Sequence, residues 1–282
     1  MTYAICSVST APVRNTSSHR SEMISQLLFG ELVEVLEIKG RQWVKTRGCD
    51  DNFVGWVASN QIEMVTPSEY ETYRDHFAFV FDFFHPAHAE NHFLPLMIGS
   101  RLPNFDGMQF SVGSMNYTFS GRAVYPQDAQ RDPAILVKLA KMYLNVPFLW
   151  GGRSASGIDA SGFTQVICRM SGLQLPREAD EQIYAGENVG FIEHALAGDL
   201  AFFENSRGRI SHVGIMLEDK QIIHAFGKVR IDPIDHFGIF NPKLKRYTHK
   251  LRLIKRVFAP KPSNENTITR RAVGEATQIE LF

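Results

Sequence analysis

A glycine- and serine-rich stretch from Trp150 to Ile158 runs directly into a segment whose apolar residues Phe163, Val166, Ile167 and Met170 recur at helical spacing and stop at Gly172. That pattern is a loop opening into a helix, with residue 160 in the first helical turn. Three apolar runs follow, Leu200 to Phe203, Ile210 to Leu217 and Gln221 to Ala225, and they read as strands. The last two are separated only by Glu218, Asp219 and Lys220, a tight polar turn. Upstream, Asp128, Asp132 and Pro133 precede Ile135, Leu136, Leu139, Ala140 and Tyr143 at helical spacing, which places a first helix and a domain start near residue 128. Residues 128–260 are therefore expected to form an α+β domain, helices first and an antiparallel sheet after.

The preceding sequence has a different grain. From residue 4 to about 65, short apolar runs alternate with turn-like clusters: Ala4 to Val8, Ile24 to Phe29, Leu32 to Ile38, Trp43 to Thr46 and Val54 to Ala58. Residues 1–65 thus read as a small all-β barrel. Residues 66–127 open with a short helical pattern and continue in aromatic, glycine-punctuated runs such as Leu94 to Ile98 and Met108 to Val112, a second and more divergent β module. Residues 261–282 carry few large apolar side chains and are expected to be a polar tail.

A chain of 282 residues, 44% hydrophobic, can bury a substantial core. Its 30 basic and 30 acidic side chains cancel, so the electrostatic footprint of a nucleic-acid or anionic-membrane binder is missing and a small molecule or peptide is the expected partner. The sequence specifies no oligomeric state. No window holds eighteen consecutive apolar residues, and the N-terminus lacks a basic region followed by an apolar one. The cytoplasm is the expected compartment, with the periplasm or secretion as the alternative if a leader has been removed. The three cysteines, Cys6, Cys49 and Cys168, have no C-x-x-C spacing and indicate neither a disulfide framework nor a thiolate zinc site. His85, His88 and His92 fall at helical spacing, but Pro86 and the lack of an accompanying carboxylate or cysteine argue against zinc. No metal or cofactor is expected.

The chemistry concentrates around residue 160. A thiol protease needs its nucleophile at a helix N-terminus, where free backbone N–H groups and the helix dipole stabilise a thiolate, and a histidine nearby on a rigid strand. Both places exist here, because the helix after Asp159 begins at residue 160 and His212 lies in mid-strand. The residue at 160, however, is alanine. A third group should orient the base. With a three-residue turn at 218–220, position 214 pairs with 224, so His212 and His224 share one face as diagonal neighbours roughly 7–8 Å apart. A two-residue turn would put them on opposite faces. Cys168 sits two turns along the helix from position 160 and reads as a packing residue.

In sequence order the segments are Phe148 with Trp150-Gly151-Gly152, Asp159-Ala160-Ser161-Gly162, Leu175-Pro176-Arg177, Gly198-Asp199-Leu200, Ser211-His212-Val213-Gly214 and Ile223-His224-Ala225. At these residues the chain resembles the NlpC family of cell-wall cysteine peptidases, over residues 128–260. The N-terminal part resembles the bacterial SH3 domains that accompany this catalytic domain, through Pro12-Val13-Arg14, Gln26 to Gly30 and Asp51 to Trp56. The resemblance implies a papain-like fold preceded by one or two SH3-like barrels, and a Cys, His, His triad. The pairing with SH3 modules is similar to the γ-D-glutamyl-L-diamino-acid endopeptidases, which trim murein peptides such as L-Ala-γ-D-Glu-diamino acid. By position the resemblance makes Ala160 the site of the nucleophile, His212 the general base and His224 its orienter. It places Asp159, Ser161, Ser211, Trp150 and Phe148 along the substrate cleft, Phe148 standing where a tyrosine is commoner. Phe53 matches the aromatic, usually tyrosine, that closes the cleft over the N-terminal L-Ala, and Glu22 is the acidic group assigned to the substrate's free amine.

Two classes of function follow. In one, the protein is a peptidase in which Ala160 replaces the cysteine; in the other, it is a natural pseudoenzyme that binds wall peptides as a sensor or adaptor. The retention of His212, His224, Asp159 and Ser161 together favours the first, since stability alone does not require that set.

Overall fold

The computed structural model describes residues 1–258; the polar tail expected at 261–282 lies outside them. Seven N-terminal strands form one antiparallel sheet in the order Met23–Leu28, Thr10–Arg14, Val54–Ala58, Trp43–Gly48, Leu32–Lys39, Thr2–Cys6, Ile62–Val65. Alternate residues point inward, so Ala4, Cys6, Ala11, Val13, Val33, Val44 and Val57 build its core. The strand Thr10–Arg14 has no counterpart in the sequence reading because Pro12 interrupts its pattern. The proline is tolerated because pairing with Val54–Ala58 is confined to Arg14 opposite Trp56, which leaves position 12 with no ladder bond to donate on that side.

Helix α1, Pro67–Asp75, leads out of this sheet and is stopped at its N-terminus by a capping box between Thr66 and Glu69. Beyond it, two small antiparallel sheets, one of four strands and one of three, enclose Leu94, Leu96, Leu102, Phe110 and Phe119. Ile5 and Leu32 of the first sheet, with Phe29 of the turn between its strands, join the same cluster, so the two β modules share apolar contact.

Helix α2, Pro133–Met142, is capped by Asp132, whose Oδ1 accepts from Ala134 N at 2.9 Å. Helices α3, Ala160–Met170, and α4, Ala179–Gln182, follow. Every residue of α3 is buried, and Phe163, Val166 and Ile167 pack with Leu136, Leu139 and Tyr143 of the α2 segment and with Phe202, Val213 and Ile215 of the following strands. No described helix is long and apolar enough to cross a membrane.

The expectation of a sheet after the helices needs correction, because the strands close on themselves. Arg246–Arg256, Leu200–Glu204, Ile210–Met216, Gln221–Phe226, Lys228–Asp235 and Gly238–Asn241 pair in that order, and Gly238–Asn241 returns to Arg246–Arg256 to complete a six-stranded barrel. The C-terminal half is consequently strand-rich, with few helices. Ala201, Phe203, Met216, Ile222, Ile234, Ile239 and Ile254, drawn from all six strands, form one cluster on one face. The opposite face meets α2 and α3. Residues 246–256 read RYTHKLRLIKR, too charged to show an apolar period, which is why this closing strand has no local signal.

Candidate active site

The loop before α3 is clamped to the first β sheet. Arg153 donates from its backbone N to Gln26 Oε1 at 2.8 Å and from its guanidinium to Gln26 O at 2.7 Å and to both Glu31 oxygens at 2.9 and 3.0 Å. Arg169 of α3 donates to the same carboxylate. Burial alone would raise the Glu31 pKa, but the two guanidinium groups hold it well below the usual carboxylate range.

Asp159 caps α3. Its Oδ1 accepts from Gly162 N at 2.7 Å and its Oδ2 from Gly151 N at 3.0 Å, which ties the loop to the helix start. Arg177, buried at 1% exposure, donates to Asp159 Oδ2 at 2.5 Å, to Ser161 Oγ at 2.8 Å and to Ser25 Oγ at 3.0 Å. The Leu-Pro-Arg segment thus supplies the countercharge for the helix cap. Asp159 borders the cleft, but both of its oxygens are engaged by the protein itself. At Gly162 a Cβ would lie 2.3 Å from Gly152 O, so only glycine lets the helix approach the loop this closely. Ala160 is left at the first position of α3, 8% exposed, on the cleft wall.

Opposite stands a relay of three groups. The three-residue turn at 218–220 pairs Gly214 with His224, and His212 and His224 share the barrel face that carries Met216 and Ile222. His212 Nε2 lies 2.9 Å from His224 Nδ1, and His224 Nε2 lies 3.1 Å from Asp232 Oδ2. Burial would raise the Asp232 carboxyl, yet the bonds from His224 and from Arg230, at 2.7 Å, keep it below its ordinary value and therefore ionised. An ionised carboxylate only accepts, so His224 carries its proton on Nε2 and presents a bare Nδ1 to the Nε2–H of His212. His212 is left with a free lone pair on Nδ1. Burial pushes the His212 imidazole well below 6.5, with His249 and His224 acting in the same sense. Burial also lowers His224, against the pull of Asp232.

A cleft of about 460 Å³ joins these two halves. Ala160, Asp159, Ser161, Ser211, His212, Phe148, Trp150 and Glu22 all line it, and Trp150 Nε1 donates to Glu22 Oε1 at 2.7 Å across the boundary with the first sheet. His224 sits behind His212 with no exposure. Phe53, expected on this wall, is absent from it. The turn from Gly48, with Asn52 at φ 58° and Phe53 N bonded to Asp51 Oδ1 at 3.0 Å, directs Phe53 onto the apolar core of the first sheet. There it borders a separate small cavity with Val13, Thr46 and Gln165.

Four residues escaped the sequence reading. Arg177 lay inside a recognised segment without a role. Asp232 had a findable signal, because a turn at Gly227 sets Arg230 opposite His224 and so Asp232 on the same face. Glu178, following Arg177, lines the cleft, and burial raises its pKa. His249 lies on the closing strand, with its pKa lowered to about 4, mainly by burial. The histidines at 85, 88 and 92 are not on a helix: His85 and His88 belong to the strand Phe84–His88.

Residues 145–248 match the NlpC/P60 family, and residues 13–62 match the bacterial dipeptidyl-peptidase SH3 domain. A gamma-D-glutamyl-L-lysine dipeptidyl-peptidase of Bacillus subtilis (strain 168) is 30% identical over 221 residues, 71% of this chain and 71% of its own length. A protein of the same name from Bacillus cereus (strain ATCC 10987) is 28% identical over 242 residues, 74% of this chain and 68% of its own. Among solved structures, an NlpC/P60 family protein from Bacillus cereus ATCC 10987 has a TM-score of 0.78 at 22% identity, covering 91% of this chain and 100% of the other, a likeness of fold.

Proposed function

The chain belongs to the NlpC/P60 family of cysteine peptidases, and from that premise we propose that it is built to cut the γ-D-Glu to diamino-acid bond of murein peptides that carry a free N-terminal L-Ala. Ala160 takes the place of the nucleophilic cysteine, so the chain as written binds such peptides without cleaving them. The observation that carries this reading is the intact His212, His224, Asp232 relay facing the same cleft as the N-terminus of α3.

With cysteine at 160, the thiol proton passes to His212 Nδ1, and the thiolate, favoured by the helix N-terminus, adds to the scissile carbonyl. Unpaired N–H groups of the first turn of α3 stabilise the oxyanion. The His212 imidazolium then protonates the leaving diamino-acid amine, and water, deprotonated by the same ring, releases the L-Ala-γ-D-Glu acyl group. Glu22 and Glu178, both on the cleft wall, supply negative charge for the L-Ala ammonium.

Ala160→Cys tests the proposal. Release of free diamino acid from the tripeptide, followed by mass spectrometry and abolished by His212→Ala, is the expected outcome. A thiol that iodoacetamide alkylates readily yet yields no product would instead favour a natural peptide-binding pseudoenzyme.

A further inference from the structure

His249 has no part in the relay described above, yet it covers the relay's remaining side. Its ring lies against His212, with centroids 4.0 Å apart and planes 23° from parallel, and meets His224 edge-on at 5.6 Å. One ligating nitrogen from each of His212, His224 and His249 falls within 4.8 Å of the other two. We infer that these three imidazoles form a binding site for a divalent transition-metal ion of the zinc class, entered from the substrate cleft, and that the bound ion excludes use of His212 as a base.

Each imidazole is held as a ligand requires. The Asp232 carboxylate takes the Nε2–H of His224 at 3.1 Å, the carboxylate–histidine pairing that orients metal-bound imidazoles, and leaves Nδ1 as the donor atom. Thr248 Oγ1 lies 2.9 Å from His249 Nδ1, which leaves Nε2 for a ligand. His212 Nε2 and His224 Nδ1 already face each other at 2.9 Å, so an ion drawn between them takes the place of their shared proton.

Magnitudes favour the fit. Zinc–imidazole bonds of about 2.0–2.1 Å set tetrahedral neighbours about 3.4 Å apart. His212 Nε2 and His224 Nδ1, now at 2.9 Å, must part by roughly half an ångström, and the widest pair must close from at most 4.8 Å. His249 has room to make that closure, since it is only partly buried and borders the cleft on one side and a second cavity of about 650 Å³ on the other. One hydrogen bond is lost and three metal bonds form. Imidazole ligands suit zinc, copper and nickel rather than magnesium or calcium.

Occupation has a direct consequence for His212. Ligation through Nε2 moves its proton to Nδ1, the atom that must accept the thiol proton. This consequence rests on the peptidase reading above; the binding itself does not. Among the described residues no second histidine cluster converges in this way. His85 engages Ser120 at 3.1 Å and His88 packs on Phe93, so these side chains provide an internal control.

The experiment is calorimetric titration of the full chain, as it stands with Ala160 and without a polyhistidine tag, with ZnCl2 at pH 7.5. One ion per chain is expected, with affinity lowered at least tenfold by His249→Gln and tenfold to a hundredfold by Asp232→Asn. The triple change His85→Gln, His88→Gln, His92→Gln should leave it unaltered. Circular dichroism checks that each variant is folded, and His249→Gln, at the cleft surface, decides if Asp232→Asn is not. Absence of saturable heat at millimolar zinc, or full affinity retained in His249→Gln, overturns the site. Because no peptide is cleaved in this measurement, failure of the peptidase reading would leave its result unaffected.

Discussion

Gly214 faces His224 directly across the barrel ladder, and a methyl group on Gly214 would sit 2.9 Å from His224 Cβ. The glycine of the Ser-His-Val-Gly segment therefore keeps the place where the orienting histidine stands. Gly214→Ala should push His224 out of reach of His212 while costing about 1–3 kcal/mol of stability through overpacking. In an Ala160→Cys background the turnover number should fall far more than the folded population does. Thermal melting and steady-state kinetics on the same sample check this, and an unchanged turnover number would refute it.

The carboxylate of Glu31 lies between Arg153 and Arg169 at the junction of the first sheet and the C-terminal half. Glu31→Gln leaves the buried Arg153 guanidinium without its ion-pair partner and Arg169 with only Asp50 Oδ2 at 3.6 Å, and should cost about 3–5 kcal/mol in urea unfolding. Because Arg153 belongs to the loop that precedes residue 160, the same change should also weaken peptide binding. A loss below 1 kcal/mol would mean that the pair is offset by its own desolvation.

Acid should destabilise the fold through the histidines at the site. His212, His224 and His249 all have folded-state pKa values below the ordinary 6.5, so the unfolded chain binds their protons more readily. Their contribution is fully present above pH 6.5 and is lost as pH falls, for His249 through about 4. Urea midpoints measured with a chelator present should decline from pH 7 to pH 4.5, and His249→Gln should flatten part of that decline. A parent profile that is level over this range would contradict the assignment.

Glu22 holds the indole of Trp150 and faces the cleft. Glu22→Gln keeps a hydrogen-bond acceptor for the indole but removes the charge, so affinity for a tripeptide with a free amine should drop about tenfold, or ~1.4 kcal/mol. Affinity for the N-acetylated tripeptide should be weak in both proteins and nearly equal. Calorimetry on the Ala160 chain, which leaves the ligand intact, provides the comparison.

Much of this site was legible along the chain. A glycine-rich loop entering a helix, an alternating strand around His212 and a three-residue turn sufficed to put His212 and His224 on one face, because strand parity depends only on residues that are neighbours in sequence. The same parity, carried one turn further through Gly227, reaches Asp232. Phe53 shows where such reasoning stops: its segment matched, but the backbone turn at Asn52 sends the ring into the first sheet, and no pattern of residue types encodes that direction.

Sequence by itself determined the helix that begins at Ala160 and the two histidines that share a face, both consequences of local periodicity and turn length. Tertiary structure alone decided that Arg177 neutralises Asp159 from 18 residues away, and that Arg246–Arg256 closes the barrel and brings His249 onto His212. The physical reason is that a closing strand answers to two partners distant in the chain. Its residues are chosen for that double pairing and for solvent, so the charged sequence around His249 carries no period from which its position could be read.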